Sequence, residues 1–233
     1  MTVAKRRVRA IVALDTPTLA QATGLVDTLG DTCDFYKIGN ELFTAVGPGS
    51  VAAMRERGND VFLDLKFHDI PDTVRGAVRS ASRLGATLVT VHASGGGDMI
   101  QAAVDEAGER CGVLAVTVLT SLDARALSTA WGRDVVAVEQ EVLRMAQLAR
   151  SAGAHGIVCA AREAAAVRAA HGDALRLLIP GLRLEGSPVH DQVRVATPKE
   201  AVEAGASYVV MGRIVTGASD PRAMMHRVKE MIS

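Results

Sequence analysis

Phe62-Leu63-Asp64-Leu65-Lys66-Phe67-His68-Asp69-Ile70-Pro71-Asp72-Thr73 starts inside an apolar β-strand, 61–65, and ends in charge. Side chains two apart on a strand share a face, so Asp64 and Lys66 are expected to point the same way while Leu63 and Leu65 pack behind them. Asp69 follows in the loop, and Pro71, which has no ladder donor to offer, is expected to close the strand. Acids on either side of a lysine at the exit of a buried strand are a poor device for stability, because desolvating such charges offsets much of their attraction. The grouping suits a lysine held charged and aimed at something that needs a proton.

Outward from this strand, short β-rich runs recur along the chain. They fall at 8–14, 35–38, 60–65, 87–92, 113–119, 156–159, 176–179 and 208–211. Amphipathic, Ala-rich stretches lie between them at 19–29, 49–57, 73–84, 99–107, 136–152 and 162–170. A last helix is expected over 220–232, with Asp220 as its cap and Pro221 at its first position. Alternating β and α units in this number predict an α/β protein, a closed (β/α)8 TIM barrel rather than an open doubly wound sheet. No G-x-G-x-x-G follows the first strand, which argues against dinucleotide binding. No Pro-, Gly- or Ser-rich linker divides the chain, so residues 1–233 are read as a single barrel domain.

Composition agrees. Hydrophobic residues make up 48% of the chain but aromatics only 3%, as expected of a parallel sheet covered by Ala-rich helices. Lys plus Arg and Asp plus Glu number 26 each, so no global field recruits nucleic acid or an anionic membrane, and any bound anion must be held by local groups. Cys33, Cys111 and Cys159 are widely spaced with no C-x-x-C pair, which fits buried thiols in a reducing cytoplasm rather than a disulfide framework or zinc site. The run 8–14 follows a basic N-terminus, yet Asp15 interrupts it too soon for a signal peptide or a membrane span.

In such a barrel the functional groups sit at the C-terminal ends of the strands and in the loops that follow. Asp15 ends the first expected strand, Lys37 the second, Asp64 and Lys66 the third and His92 the fourth. Thr120 and Ser121 follow the fifth, Pro180-Gly181-Leu182-Arg183 the seventh, and Gly212-Arg213 the eighth. Lys37 alternates with Tyr36 and Ile38, a phase that directs its ammonium inward toward Asp15 and Asp64. The expected array is Asp15, Lys37, Asp64, Lys66 and Asp69, in which carboxylate neighbours favour the charged form of each lysine. Gly212-Arg213 reads as an anion site, since glycine admits close backbone approach and arginine offers a planar fork to phosphate oxygens. The stretch 183–192, with Gly186 and Pro188, reads as a lid over the same phosphate. His92 is expected to be a hydrogen-bonded residue of the barrel mouth and His68 to be structural.

The string Asp-x-Lys-x-x-Asp-Ile-Pro at residues 64–71 resembles the signature of the orotidine 5'-monophosphate decarboxylase family. The resemblance runs from Ala13-Leu14-Asp15 to Val210-Met211-Gly212-Arg213. It takes in Lys37-Ile38-Gly39, the 64–73 block, Leu119-Thr120-Ser121, Pro180-Gly181-Leu182-Arg183 and Asp191-Gln192 in the family's order. It implies that Asp15 and Lys37 hold the ribose hydroxyls and that Thr120 or Ser121 contacts the pyrimidine edge. It also implies that Arg183, Gln192, Gly212 and Arg213 hold the phosphate. Members are two-fold homodimers, which would carry Asp69, Ile70 and Thr73 into the neighbour's site. One departure concerns the lid: relatives often carry glycine just before the Asp-Gln pair, where this chain has His190.

The implied reaction converts orotidine 5'-monophosphate to uridine 5'-monophosphate and CO2, leaving an electron pair on C6 that no enolate can delocalise. No thiamine, pyridoxal or metal motif is evident, so no cofactor and no metal are expected, and Lys66 is assigned the proton to C6 with Asp64 and Asp69 positioning it. Two alternatives remain at this level. A Mg²⁺-dependent 3-keto-L-gulonate-6-phosphate decarboxylase or hexulose-phosphate synthase resembles the fold and shares the Asp-x-Lys-x-x-Asp element, although Ile70-Pro71 continues it differently. A non-catalytic barrel binding a phosphorylated ligand would keep Arg213 but has no need of Lys66 between two acids.

Overall fold

Parallel strands pair in chain order until the last meets the first, closing the barrel β1-β2-β3-β4-β5-β6-β7-β8 in the computed structural model, which describes residues 8–184 and 196–233. The strands are β1 Arg9–Ala13, β2 Phe35–Gly39, β3 Asp60–Phe67, β4 Leu88–His92, β5 Gly112–Val116, β6 Gly156–Val158, β7 Arg176–Ile179 and β8 Tyr208–Met211. The helices in chain order are α1 Leu19–Leu29, α2 Asn40–Val46, α3 Gly49–Glu56, α4 Pro71–Arg83, α5 Gly97–Ala107 and α6 Ala124–Trp131. They continue with α7 Val138–Ser151, α8 Ala161–His171, α9 Pro198–Glu203, α10 Arg213–Thr216 and α11 Pro221–Ile232.

Alternation along each strand sorts the core into two layers. Ile11, Ala13, Phe35, Phe62, Leu88, Leu114, Leu178 and Val210 pack together inside the barrel. Their neighbours Val12, Tyr36, Ile38, Leu63, Val89, Val91 and Ala115 turn outward into the larger cluster shared with the helices. Burying each large apolar side chain contributes about 1.5–3 kcal/mol, which favours the register that keeps both faces dry. At the N-terminal end of the barrel the Arg9 guanidinium lies 4.5 Å from the centre of the Phe35 ring and donates to Asp60 at 2.9 Å. That end carries structural ion pairs; the opposite end carries the cavity.

Two expectations need correction. Pro71 does not close β3. It is the first residue of α4, with Ile70 at the N-cap, where a missing N–H costs nothing because the first turn has no partner for it. Strand β3 runs on to Phe67 because its ladder with β4 absorbs an irregularity: Leu63 pairs with Val89 and Phe67 with Val91, so three residues of β3 stand against one of β4. The fifth strand ends at Val116 rather than at 119, leaving Val118 and Leu119 to run over the barrel mouth. Asp220 caps α11 as expected, accepting from the Ala223 N–H at 2.9 Å. Among the described residues, no helix is long and apolar enough to cross a membrane.

Candidate active site

The irregularity in β3 is what brings Asp64 and Lys66 together. Lys66 has a φ of 52°, the only positive value on a non-glycine residue among those described. L-residues with side chains rarely adopt this region, so simple strand alternation does not hold between the two residues. Their side chains nevertheless meet, with Lys66 Nζ 2.9 Å from Asp64 Oδ2. Lys37 Nζ lies 3.9 Å from the same oxygen and donates to Asp15 Oδ1 at 2.7 Å. The result is a chain of opposite charges, Asp15–Lys37–Asp64–Lys66, running from the end of β1 across β2 and β3.

The series is graded in exposure. Lys37 and Asp64 keep 11% and 13% of their side-chain surface, whereas Lys66 keeps 31% and Asp15 55%. The interior pair is held by neighbours and the end members face open space. Gly39 makes room for this packing: a Cβ there would stand 2.7 Å from Lys37 Nζ and 3.0 Å from Asp15 Oδ1. Thr90, fully buried on β4, donates to Asp64 Oδ1 and accepts from the Lys66 backbone N–H, both at 2.9 Å. Nothing in the sequence marks Thr90, because threonine is an ordinary strand residue.

A cavity of about 300 Å³ opens at this end of the barrel, with Asp15, Lys37, Asp64 and Lys66 on one wall. Phe62, Val116, Val158, Leu178 and Val210 form its apolar floor and sides. Thr120, Pro180, Gly181, Arg183, Gly212 and Arg213 complete its lining, Gly212 and Arg213 following β8 where it pairs with β1. Arg183 is half-buried, with Nη1 donating to the Leu182 carbonyl at 2.7 Å. Ser121 is exposed and does not line the cavity, which favours Thr120 of that pair. Gln192, with Asp191, His190 and the rest of the expected lid from residue 185, lies outside the described residues.

Asp69 is not part of the charged chain within its own barrel. It is exposed, its Oδ1 accepts from the Ile70 N–H at 2.7 Å, and it lines a separate concavity with His68, Ile70, Pro71, Ser94 and Gly95. Ile70 is 67% exposed and Thr73 faces outward from the first turn of α4. His92, at the end of β4, packs its ring 5.3 Å from that of His68. Burial pushes its pKa below the ordinary histidine value, and the nearby His68 and Lys66 push the same way against Asp64. Cys33, Cys111 and Cys159 are buried thiols. Among the described residues, no group of three or more His, Cys, Asp or Glu is arranged to hold a metal ion.

Fold and cavity together define a (β/α)8-barrel protein whose site is assembled from charged residues at the C-terminal strand ends. The chain belongs to the orotidine 5'-phosphate decarboxylase / HUMPS family, whose model matches residues 9–228. A protein of Anaeromyxobacter sp. (strain K), named orotidine 5'-phosphate decarboxylase, is 52% identical over 219 residues, covering 92% of this chain and 94% of the relative. A protein of the same name from Moorella thermoacetica is 48% identical over 221 residues, covering 91% and 87%. Among solved structures, orotidine 5'-phosphate decarboxylase from Lactobacillus acidophilus superposes with a TM-score of 0.86 at 36% identity, covering 98% of this chain and 99% of that one.

Proposed function

We propose that this protein is a carboxy-lyase that converts orotidine 5'-monophosphate to uridine 5'-monophosphate and CO2 in pyrimidine biosynthesis. The observation that carries the reading is the ion chain ending at Lys66 on the cavity wall, in a chain 52% identical to a relative of that name. In the reaction the bond between C6 and the carboxylate carbon breaks, CO2 departs and the electron pair stays on C6. The Lys66 ammonium stabilises that charge as it develops and then transfers a proton to C6, leaving a neutral amine that solvent reprotonates. Asp64 holds Lys66 at 2.9 Å, so little reorganisation is needed when the charge appears.

The remaining assignments belong to the same reading. Asp15 and Lys37 take the ribose hydroxyls, and Thr120 the pyrimidine edge. Arg183, Gly212 and Arg213 take the phosphate, joined by Gln192. Binding energy from the phosphate, remote from C6, serves orientation and closure and so raises turnover as well as affinity. Asp69 completes the acid pair about Lys66 from a neighbouring subunit, with Ile70 and Thr73 entering the same site. This is supported by the exposure of all three residues and by the absence of Asp69 from its own cavity. The assembly is therefore a homodimer, working in the cytoplasm.

The enediolate alternative routes its chemistry through Mg²⁺. Here the Asp64 carboxylate is engaged by Lys66, Lys37 and Thr90, which favours a reaction without cofactor or metal. Measuring CO2 release from orotidine 5'-monophosphate, with and without a chelator, tests the reading: release should be undiminished by chelation. Loss on chelation with recovery on adding Mg²⁺ would move the chain to the enediolate enzymes. Ligand binding without CO2 release would make it a non-catalytic barrel.

A further inference from the structure

We infer that Thr90 is a positioning residue for the decarboxylation, acting through its hydroxyl on Asp64 and Lys66; this rests on the proposed reaction. The β3–β4 ladder passes from Leu63↔Val89 directly to Phe67↔Val91, so Asp64, Leu65 and Lys66 face the single residue Thr90. That mismatch takes the Lys66 N–H out of the regular ladder, and the Thr90 hydroxyl oxygen accepts it at 2.9 Å. The hydroxyl's one proton goes to Asp64 Oδ1, also at 2.9 Å. A threonine hydroxyl has one donor and two acceptor sites, so both bonds form at once.

The consequence is mechanical. With Oδ1 held by Thr90, the carboxylate turns Oδ2 toward Lys66 Nζ at 2.9 Å and Lys37 Nζ at 3.9 Å. The same hydroxyl pins the backbone of Lys66 at φ 52°, a conformation that persists only where its surroundings hold it. Thr90 is fully buried and does not line the cavity, so it acts on the ammonium's position without touching substrate. Its two bonds converge on the two residues that carry the chemistry.

Thr90→Val keeps the shape and removes the hydroxyl, Thr90→Ala removes it in a smaller side chain, and Thr90→Ser restores it. Purified wild type and variants are compared for kcat and KM on orotidine 5'-monophosphate, for uridine 5'-monophosphate affinity and for melting temperature. Misplacing a reacting group by a fraction of an ångström to an ångström costs up to about 100-fold. Valine should therefore lower kcat by about tenfold or more, with product affinity held within about twofold because the phosphate and ribose contacts lie elsewhere. Serine should recover most of the turnover. Wild-type kcat in the valine or alanine variant, or a serine variant as impaired as valine, would overturn the inference. So would a fall in product affinity matching the fall in kcat. If valine does not fold, alanine against serine decides; if neither hydroxyl-free variant folds, Thr90 serves the fold and the positioning role is refuted. Wild-type protein that releases no CO2 would instead sink the decarboxylase reading, and this inference with it.

Discussion

Lys66 and Lys37 share the same carboxylate but not the same task. Lys37 is enclosed between Asp15 and Asp64, whereas Lys66 touches Asp64 and keeps nearly a third of its side-chain surface open to the cavity. A proton donor has to reach its acceptor, and Lys66 is the one so placed. Lys66→Ala is expected to abolish decarboxylation while uridine 5'-monophosphate still binds; near-normal turnover in the purified variant would remove Lys66 from the mechanism. Arg213 lines the same cavity as the lysines, and its substitution should separate substrates. A charged hydrogen bond is worth about 1.5–3 kcal/mol, so Arg213→Ala should lower kcat/KM on the phosphorylated substrate by at least about tenfold. Orotidine without phosphate should lose far less, and equal losses on the two would show that Arg213 is not a phosphate ligand. At this scale the sequence is legible wherever a residue is chemically out of place: a lysine and an aspartate in an apolar strand announce themselves. Thr90 does not, since its role comes from a ladder irregularity that only the fold reveals.

Among the elements, strands and long helices are legible in the sequence because each spans enough residues to display its period. Arg176–Ile179 and Leu19–Leu29 match their expected bounds. The helices α2, α9 and α10, of seven, six and four residues, are too short to complete an amphipathic pattern, although α9 does carry a start signal that periodicity passes over, the capping box of Thr197 and Glu200 with Pro198 at the first position. α6 is absent from the expected segments although its ends are marked, by Asp123, which accepts from the Ala126 N–H at 2.8 Å, and by Gly132 in a left-handed conformation. Pro71 misleads for a related reason: a proline after an apolar run fits either a strand end or a helix start, and only the packing of the downstream residues separates the two. Strand β2 gives a test of how an element supports the site. Gly39 lies against the tip of Lys37 and the Asp15 carboxylate, so Gly39→Ala must displace the Lys37 ammonium, the flexible partner in that contact. The barrel should still fold, because Gly39 has an ordinary φ of −98°. The affinity for uridine 5'-monophosphate should fall by about tenfold, equivalent to about 1.4 kcal/mol, as measured by calorimetry. An unchanged dissociation constant would show that the Lys37–Asp15 pair is not part of the ribose site.

For the whole molecule, the closed barrel separates a dry floor from a charged mouth, yet a single barrel leaves its acid array short of one expected member. Asp15, Lys37, Asp64 and Lys66 line the cavity while Asp69 faces outward with Ile70 and Thr73. Spacing alone does not reveal this, since Asp69 is only three residues from Lys66 and proximity along the chain suggests proximity in the site. The proposed dimer resolves it by supplying Asp69 in trans, with a consequence that mixing subunits can expose. Lys66→Ala and Asp69→Asn homodimers should each have both sites damaged and be strongly impaired. When the two are mixed and allowed to exchange subunits, a hybrid dimer gathers both lesions in one site. Its other site then joins an intact Lys66 from one chain to an intact Asp69 from its partner. Activity should reappear on mixing, reaching at most half the wild-type rate per hybrid because one site of the pair is restored. Were Asp69 to act within its own barrel, each hybrid site would keep one lesion and nothing would be regained. Hybrids verified by tag-based separation that stay inactive would therefore refute the shared site and assign Asp69 to the Lys66 of its own chain.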